Sequence, residues 1–202
     1  MANAPITSKE KLAWEFAQRA HKDQVRKFTG ESYFDAHVQK VNGTLKLYTT
    51  DEATLIAALL QELQIRKNYL GSQSIDSIYF GGGSPSILPA NDIEKLLQYI
   101  YRNFQINNTV EITLEANPDD LTNDKIKAYY QMGINRLSIG IQSFIDRDLI
   151  WMNRAHNSAE AINCIKRAQD IGIENLSIDL IYGLPELSDN EWKNNIEIAL
   201  SH

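Results

Sequence analysis

The chain has 202 residues, a formal net charge of -6, and 43% hydrophobic against 23% charged residues, the balance of an ordinary globular chain able to bury a core. An acidic balance without basic blocks argues against nucleic acid or an anionic membrane surface as a partner. No apolar run reaches the ~18 residues of a membrane span, and the opening MANAPITSKEKLAWEF lacks the basic-then-apolar layout of a secretory leader. The single cysteine, Cys164, excludes an internal disulfide and fits a reducing cytoplasm.

In chain order, KEKLAWEFAQRAH places Leu12, Phe16 and Ala20 on one helical face, and KFTGESYFDAHVQKV reads as a turn and a second short helix. TTDEATLIAALLQELQIRKNYLG, opening at Thr50, predicts one long helix running to Gly71. From Ile75 the rhythm changes. IDSIYF (75–80), VEITLEA (110–116), RLSIGIQSF (136–144) and NLSIDLIYG (175–183) are short apolar runs bounded by Gly, Pro, Asn or Asp, and predict buried strands. The helices between them carry start and stop signals. Asn91 with Glu94 reads as a capping box, a second helix runs from Thr122 to Gly133, a third stops at Gly172, and Ser188 with Glu191 repeats the box. Such alternation predicts an α/β fold with a parallel sheet: a partial (β/α) barrel of about four strand–helix units preceded by an all-α N-terminal segment. The change of character falls near Leu59–Gln64, dividing the chain into residues 1–60 and 61–202. Gly81–Gly83 ends the first strand. A phosphate loop would follow its glycines with Lys–Ser/Thr, whereas Ser84, Pro85 and Ser86 follow here, so a phosphate cradle is not expected.

The motifs IYFGGGSPS, EITLEANPDDLT, NRLSIGIQSF, MNRAHNSAEA and SIDLIYGLP stand in that order at helix-length intervals. Taken singly, each has an ordinary structural role: a Gly-rich turn, a polar strand residue, a solvated charge. As a series they resemble the radical S-adenosylmethionine (SAM) family, within it the oxygen-independent coproporphyrinogen III oxidase and heme-chaperone group. The resemblance implies that Gly82, Gly83 and Ser84 admit the methionine part of SAM. It implies further that Glu115, Gln142, Arg154 and Asp179 contact the same cofactor from one rim of the barrel. In that group the chemistry belongs to SAM and a 4Fe-4S cluster, which the protein orients. Heme or a porphyrinogen is the implied partner.

The family holds its cluster with three cysteines of a C-x3-C-x2-C loop ahead of the glycine-rich strand. This sequence has no cysteine before Cys164, which sits at an apolar helical position and reads as a structural thiol. The cluster expected of the family is therefore not supported by this chain, and no residue is assigned a catalytic role.

The N-terminal text AHKDQVRKFTGESYFDAH, followed by TTDEATLIAALL, resembles the start of the metal-dependent HD hydrolases that degrade guanosine tetra- and pentaphosphate. That resemblance makes His37 a remnant metal ligand and puts Arg26 and Lys27 at the nucleotide. Where the family has adjacent His–Asp ligands, this chain has Gln61 and Glu62, so metal binding is not expected. His21 reads as a surface or capping histidine. The expected function is that of a fragment keeping part of a SAM site with weak or vestigial SAM binding, inactive as it stands. An HD-type nucleotide-binding module and a non-functional chimeric or truncated product are the alternatives. Uncovered strand edges predict a marginal, self-associating protein.

Overall fold

The computed structural model describes residues 52–202. The chain divides between Ala58 and Leu59, and the unit Leu59–His202 carries the sheet. His21, Arg26, Lys27, His37, Thr50 and the two N-terminal helices predicted from sequence lie outside the described residues.

The first described helix, α1 (Glu52–Ile65), is followed by β1 (Ile75–Phe80), α2 (Ala90–Asn103), β2 (Ile106–Ala116) and α3 (Asn123–Gln131). Next come β3 (Arg136–Gln142), the short α4 (Asp146–Trp151), α5 (Ser158–Ile171), β4 (Asn175–Leu180) and α6 (Asp189–Leu200). The four strands form one sheet in the order β1-β2-β3-β4, every neighbour pair parallel. This is the α/β arrangement of strand–helix units expected from the alternating pattern.

Registration shows how the sheet is built. Phe80, Leu114 and Leu137 stand side by side across β1 to β3, and Leu137 pairs with Leu176 of β4. With Ile78, Ile112, Ala116, Ile139 and Ile141 they form an apolar face whose central members are fully buried. Helices α2, α3 and α5 supply the opposing layer through Ile93 and Leu97, Ile126 and Tyr129, and Ala161 and Ile165, all buried; α3 contacts both α2 and α5.

The other face departs from the buried strands expected of a parallel sheet. It carries Tyr79, Glu111, Thr113, Glu115, Arg136, Ser138 and Asp179. At the start of the strands Arg136 Nη1 meets Glu111 Oε1 at 3.3 Å, and Asn175 Nδ2 donates to Glu111 Oε2 at 3.4 Å. Charged groups satisfied in this way do not require a covering layer. The apolar periodicity of the strands conceals the polar alternate positions.

Several helix boundaries differ from expectation. Helix α1 ends at Ile65, and the chain reaches Gly71 through turns, Gly71 itself having a positive φ of 59°. Helix α2 starts at Ala90 behind an extended Pro89, so Asn91 lies within the first turn and makes no cap; Glu94 instead accepts from Gln98 Nε2 at 3.0 Å. The remaining signals match. Thr122 accepts from the Lys125 amide and Gly172 takes the left-handed conformation after α5; a further capping box, Asn157–Glu160, opens α5.

The Ser188–Glu191 box at α6 is also formed, and it has an electrostatic consequence. Hydrogen bonds from the Ser188 backbone amide and hydroxyl, then Arg147, lower the Glu191 carboxyl from 4.5 to about 2. A depressed carboxyl contributes stability above its unfolded pKa, and that contribution is lost as pH falls from about 4.5 through about 2. Replacing Ser188 by alanine removes the hydroxyl but not the amide. The Glu191 pKa, followed by carboxyl-carbon NMR, is expected to rise while staying below its ordinary value.

Among the described residues no helix is long and apolar enough to cross a membrane.

Candidate functional site

The C-terminal ends of β1, β2 and β3 carry the polar groups that converge. After Phe80 the chain turns through Gly81, Gly82 (φ 80°) and Gly83 (φ 143°), and the last two conformations favour glycine. The Glu115 carboxylate, one residue from the end of β2, bridges this turn to the preceding strand. Its Oε2 accepts from the Gly82 amide at 3.1 Å and its Oε1 accepts from the Tyr79 hydroxyl at 2.8 Å. Tyr79 is 56% exposed. Its hydroxyl is held above the ordinary tyrosine range, first by the bond to Glu115, then by burial, with the Asp179 charge adding to the shift. Tyr79, Glu115 and Asp179 are therefore electrostatic neighbours on the open sheet face.

Gly81 leaves room for that bridge. A Cβ there would lie 2.6 Å from the Tyr79 ring and 2.8 Å from Glu115 Oε1. Gly81→Ala is thus expected to part Tyr79 from Glu115 and let the Tyr79 pKa fall back toward 10, read by NMR of ring-labelled tyrosine. A phenol that titrates as in the parent would contradict the bridge.

A second set of bonds crosses the three strand ends. Asn117 Nδ2 donates to Ser84 Oγ at 3.0 Å, and Arg154 Nη2 donates to Asn117 Oδ1 at 2.8 Å and to the Gly140 carbonyl at 3.0 Å. Below them, Ser86 Oγ donates to Asp120 Oδ2 at 2.7 Å and accepts from the Asn117 amide at 3.2 Å; Lys125 Nζ reaches the Ser86 carbonyl at 2.5 Å. Arg154 lies just beyond the short helix: α4 ends at Trp151 and a left-handed Asn153 (φ 54°) turns the chain back. Its Nε is buried without a partner. Gln142 ends β3 with a φ of 70°, a strained value for a non-glycine residue that recurs at ligand sites. Its carbonyl accepts from the Ile181 amide at 2.9 Å. His156 is buried behind this rim with Nε2 3.1 Å from the Ile141 carbonyl, and burial lowers its pKa.

Of the residues singled out by sequence, Gly82, Ser84, Glu115, Gln142 and Arg154 meet at the ends of β1 to β3. Gly83 continues the turn, and Asp179 stands on β4, on the same face as Glu115. Tyr79 and Asn117 join them, and both lie inside the motifs quoted from the sequence. Their partners are more than 30 positions away, and the one sequence signal is a polar residue directly before Pro118 or two positions before Gly81.

The rim suits a ligand with both charges: carboxylates at Glu115 and Asp179, a cation at Arg154, and open space where a Cβ at Gly82 would stand. No thiolate, the usual holder of an iron–sulfur cluster, stands at this rim. The sole cysteine, Cys164, is fully buried on α5, its Sγ directed at the Ala161 carbonyl, and burial pushes the thiol up to about 12. Among the described residues no group of three or more His, Cys, Asp or Glu side chains is placed to hold a metal. Gln61 is exposed and Glu62 pairs with Arg66 at 3.9 Å on the surface of α1.

A parallel α/β sheet with a glycine turn and a convergent polar rim at its carboxyl end defines a partial (β/α) barrel. The family model of the radical SAM superfamily matches residues 49–199, and the chain belongs to that superfamily. The match opens ahead of residue 61, where the sequence reading placed the start of the barrel. Among curated proteins, the chain is 35% identical over 171 residues to the heme chaperone HemW of Haemophilus influenzae, covering 83% of this chain and 43% of that one. It is 37% identical over 145 residues to HemW of Bacillus subtilis, covering 71% and 38%. Among solved structures, coproporphyrinogen III oxidase (HemN) of Escherichia coli, described as a radical SAM enzyme, superposes with a TM-score of 0.66 at 29% identity, over 72% of this chain and 33% of that one. The chain thus spans about two-fifths of the length of the curated relatives it matches.

Proposed function

We propose that this chain is a SAM-binding member of the HemW/HemN-like group that does not cleave SAM reductively as it stands. The observation that carries the reading is the contrast at the rim. Glu115 holds the glycine turn, Gln142 and Arg154 stand at the same strand ends and Asp179 on the same sheet face, while the one thiol in the sequence is buried in the helical layer. In this reading Glu115 and Asp179 take the cationic and hydroxyl groups of SAM, Arg154 and Gln142 its anionic and amide-like edges, and the Gly82–Ser84 turn its methionine end. Without an iron to anchor the amino and carboxylate groups, binding is weak. The relatives' names, heme chaperone and coproporphyrinogen III oxidase, support a tetrapyrrole as the further partner class. One buried cysteine supports a reducing, cytoplasmic setting.

The test is anaerobic reconstitution with iron and sulfide, followed through iron–sulfur absorbance and 5′-deoxyadenosine production, alongside a calorimetric SAM titration. The reading expects no stoichiometric cluster, no 5′-deoxyadenosine and affinity weaker than micromolar. Stoichiometric cluster and nucleoside release would overturn the inactivity; saturable micromolar binding would overturn the weakness.

The HD-hydrolase alternative rests on the text around Arg26, Lys27 and His37. The surface placement of Gln61 and Glu62 disfavours it, and Mn²⁺-dependent hydrolysis of guanosine tetraphosphate would restore it. A chimeric origin rests on the change of motif text near Leu59–Gln64, and the DNA flanking the reading frame tests it. Self-association through the edges of β1 and β4 is tested by light scattering across a concentration series.

A further inference from the structure

We propose that Asn117 is a positioning residue that locks the turn after β1 and the Arg154 guanidinium into one unit, and that it sets the direction of the Ser84 hydroxyl. The argument starts from donors and acceptors. A guanidinium has only donors, so the Asn117 atom 2.8 Å from Arg154 Nη2 must be the carbonyl oxygen. The amide cannot be flipped without placing two donors together. Its Nδ2 therefore faces Ser84 Oγ at 3.0 Å, and Ser84 is the acceptor of that bond. The Ser84 proton is left free to donate to a ligand acceptor at the rim.

The same side chain sits at the meeting point of three segments. Ser84 belongs to the turn after β1, Asn117 follows β2, and Arg154 follows α4 while also bonding the Gly140 carbonyl of β3. The Asn117 backbone is itself held, its amide donating to Ser86 Oγ. Gly140 makes room for the Gln142 side chain beside the crossing: a Cβ there would stand 2.9 Å from Gln142 Nε2, while 3.6 Å from Asn117 Oδ1 and 3.7 Å from Arg154 Nη2 are ordinary contacts. Arg154 spends Nη2 on these two acceptors, and its buried Nε has no protein partner. One amide thus fixes the anion-facing groups of two loops.

The inference rests in part on the proposed SAM site, so the experiment has one arm that needs no ligand. Amide hydrogen exchange is followed at Gly82 and Ile87, whose protons go to Glu115 and the Ser84 carbonyl, and at the Arg154 Nε proton. Leu114 and Leu137 serve as sheet controls. Asn117→Ala is expected to speed exchange at the turn and at Arg154 about tenfold, the loss of one hydrogen bond of ordinary strength, with the controls unchanged. Ser84→Ala, which cuts the same link from the other side, is expected to loosen Gly82 and Ile87 likewise should Asn117→Ala fail to fold. Unchanged turn exchange, or equal acceleration across the sheet, would overturn the proposal.

Asn117→Asp separates clamping from donor direction. A carboxylate still receives Arg154 but obliges Ser84 to donate to it, so turn exchange should match the parent while SAM affinity drops about tenfold. Loosened exchange in Asn117→Asp, or unchanged affinity with SAM, would refute the assigned hydroxyl direction. If the parent itself shows no SAM binding at millimolar concentration, the SAM reading fails, and the exchange arm still decides the role of Asn117.

Discussion

Shortening Leu114 to alanine is expected to lower the stability of the sheet-bearing unit by about 3 kcal/mol, the usual cost of a buried leucine truncation with its cavity. Leu114 has no exposed surface and lies in β2, an inner strand, between Phe80 and Leu137. Neighbours on both sides and a helical layer above leave little freedom to collapse into the void. Urea denaturation should show a lower midpoint with an unchanged slope, and the melting temperature should drop by roughly 10 °C. The next residue, Glu115, points to the opposite face, so the raised Tyr79 pKa should survive the substitution. A loss below about 1 kcal/mol would mean that β2 is not packed as described.

The second large effect is expected at Asn195, a fully buried polar residue of α6. Its Oδ1 accepts from the Phe144 amide at 2.9 Å and its Nδ2 donates to Ser143 Oγ at 3.2 Å. Ser143 in turn donates to the buried Asp148 at 2.9 Å and accepts from the Ile145 amide at 3.1 Å. This cluster fastens the last helix to the segment between β3 and α4. Asn195→Ala leaves the Phe144 amide buried without an acceptor, and the expected cost is about 2 kcal/mol, the penalty of an unsatisfied buried donor. Hydrogen exchange should show the Phe144 amide opening well before the sheet. Protection equal to that of the parent would refute the role given to Asn195.

The sequence made the strands legible for an identifiable reason. Ile75–Phe80 is closed by Gly81 and α5 by a left-handed Gly172, whereas β3 stops at Gln142, two residues short of the end of the apolar run 136–144, where the backbone takes a positive φ. Local chemistry wrote those boundaries. Pro89 overrode the Asn91–Glu94 signal because an extended proline starts a helix directly behind itself, and the turns before Gly71 were hidden in a run of good helix formers. At the site, Glu115 and Arg154 stood out through the family motifs. The bonds that hold them did not, since Tyr79–Glu115, Ser84–Asn117 and Asn117–Arg154 each join residues more than 30 positions apart. The polar sheet face was obscured because its charges pair only across strands, as Arg136 does with Glu111.

The strand order β1-β2-β3-β4 carries a consequence for how the molecule assembles. Each new strand docks on the one made just before it, so no strand waits for a distant partner and no insertion between formed strands is needed. The sheet can grow from one side while the chain leaves the ribosome, with each crossover helix covering the strand pair it follows. The rim is completed in the same order, the glycine turn first, Asn117 next and Arg154 last, so the locking amide is waiting when the guanidinium arrives.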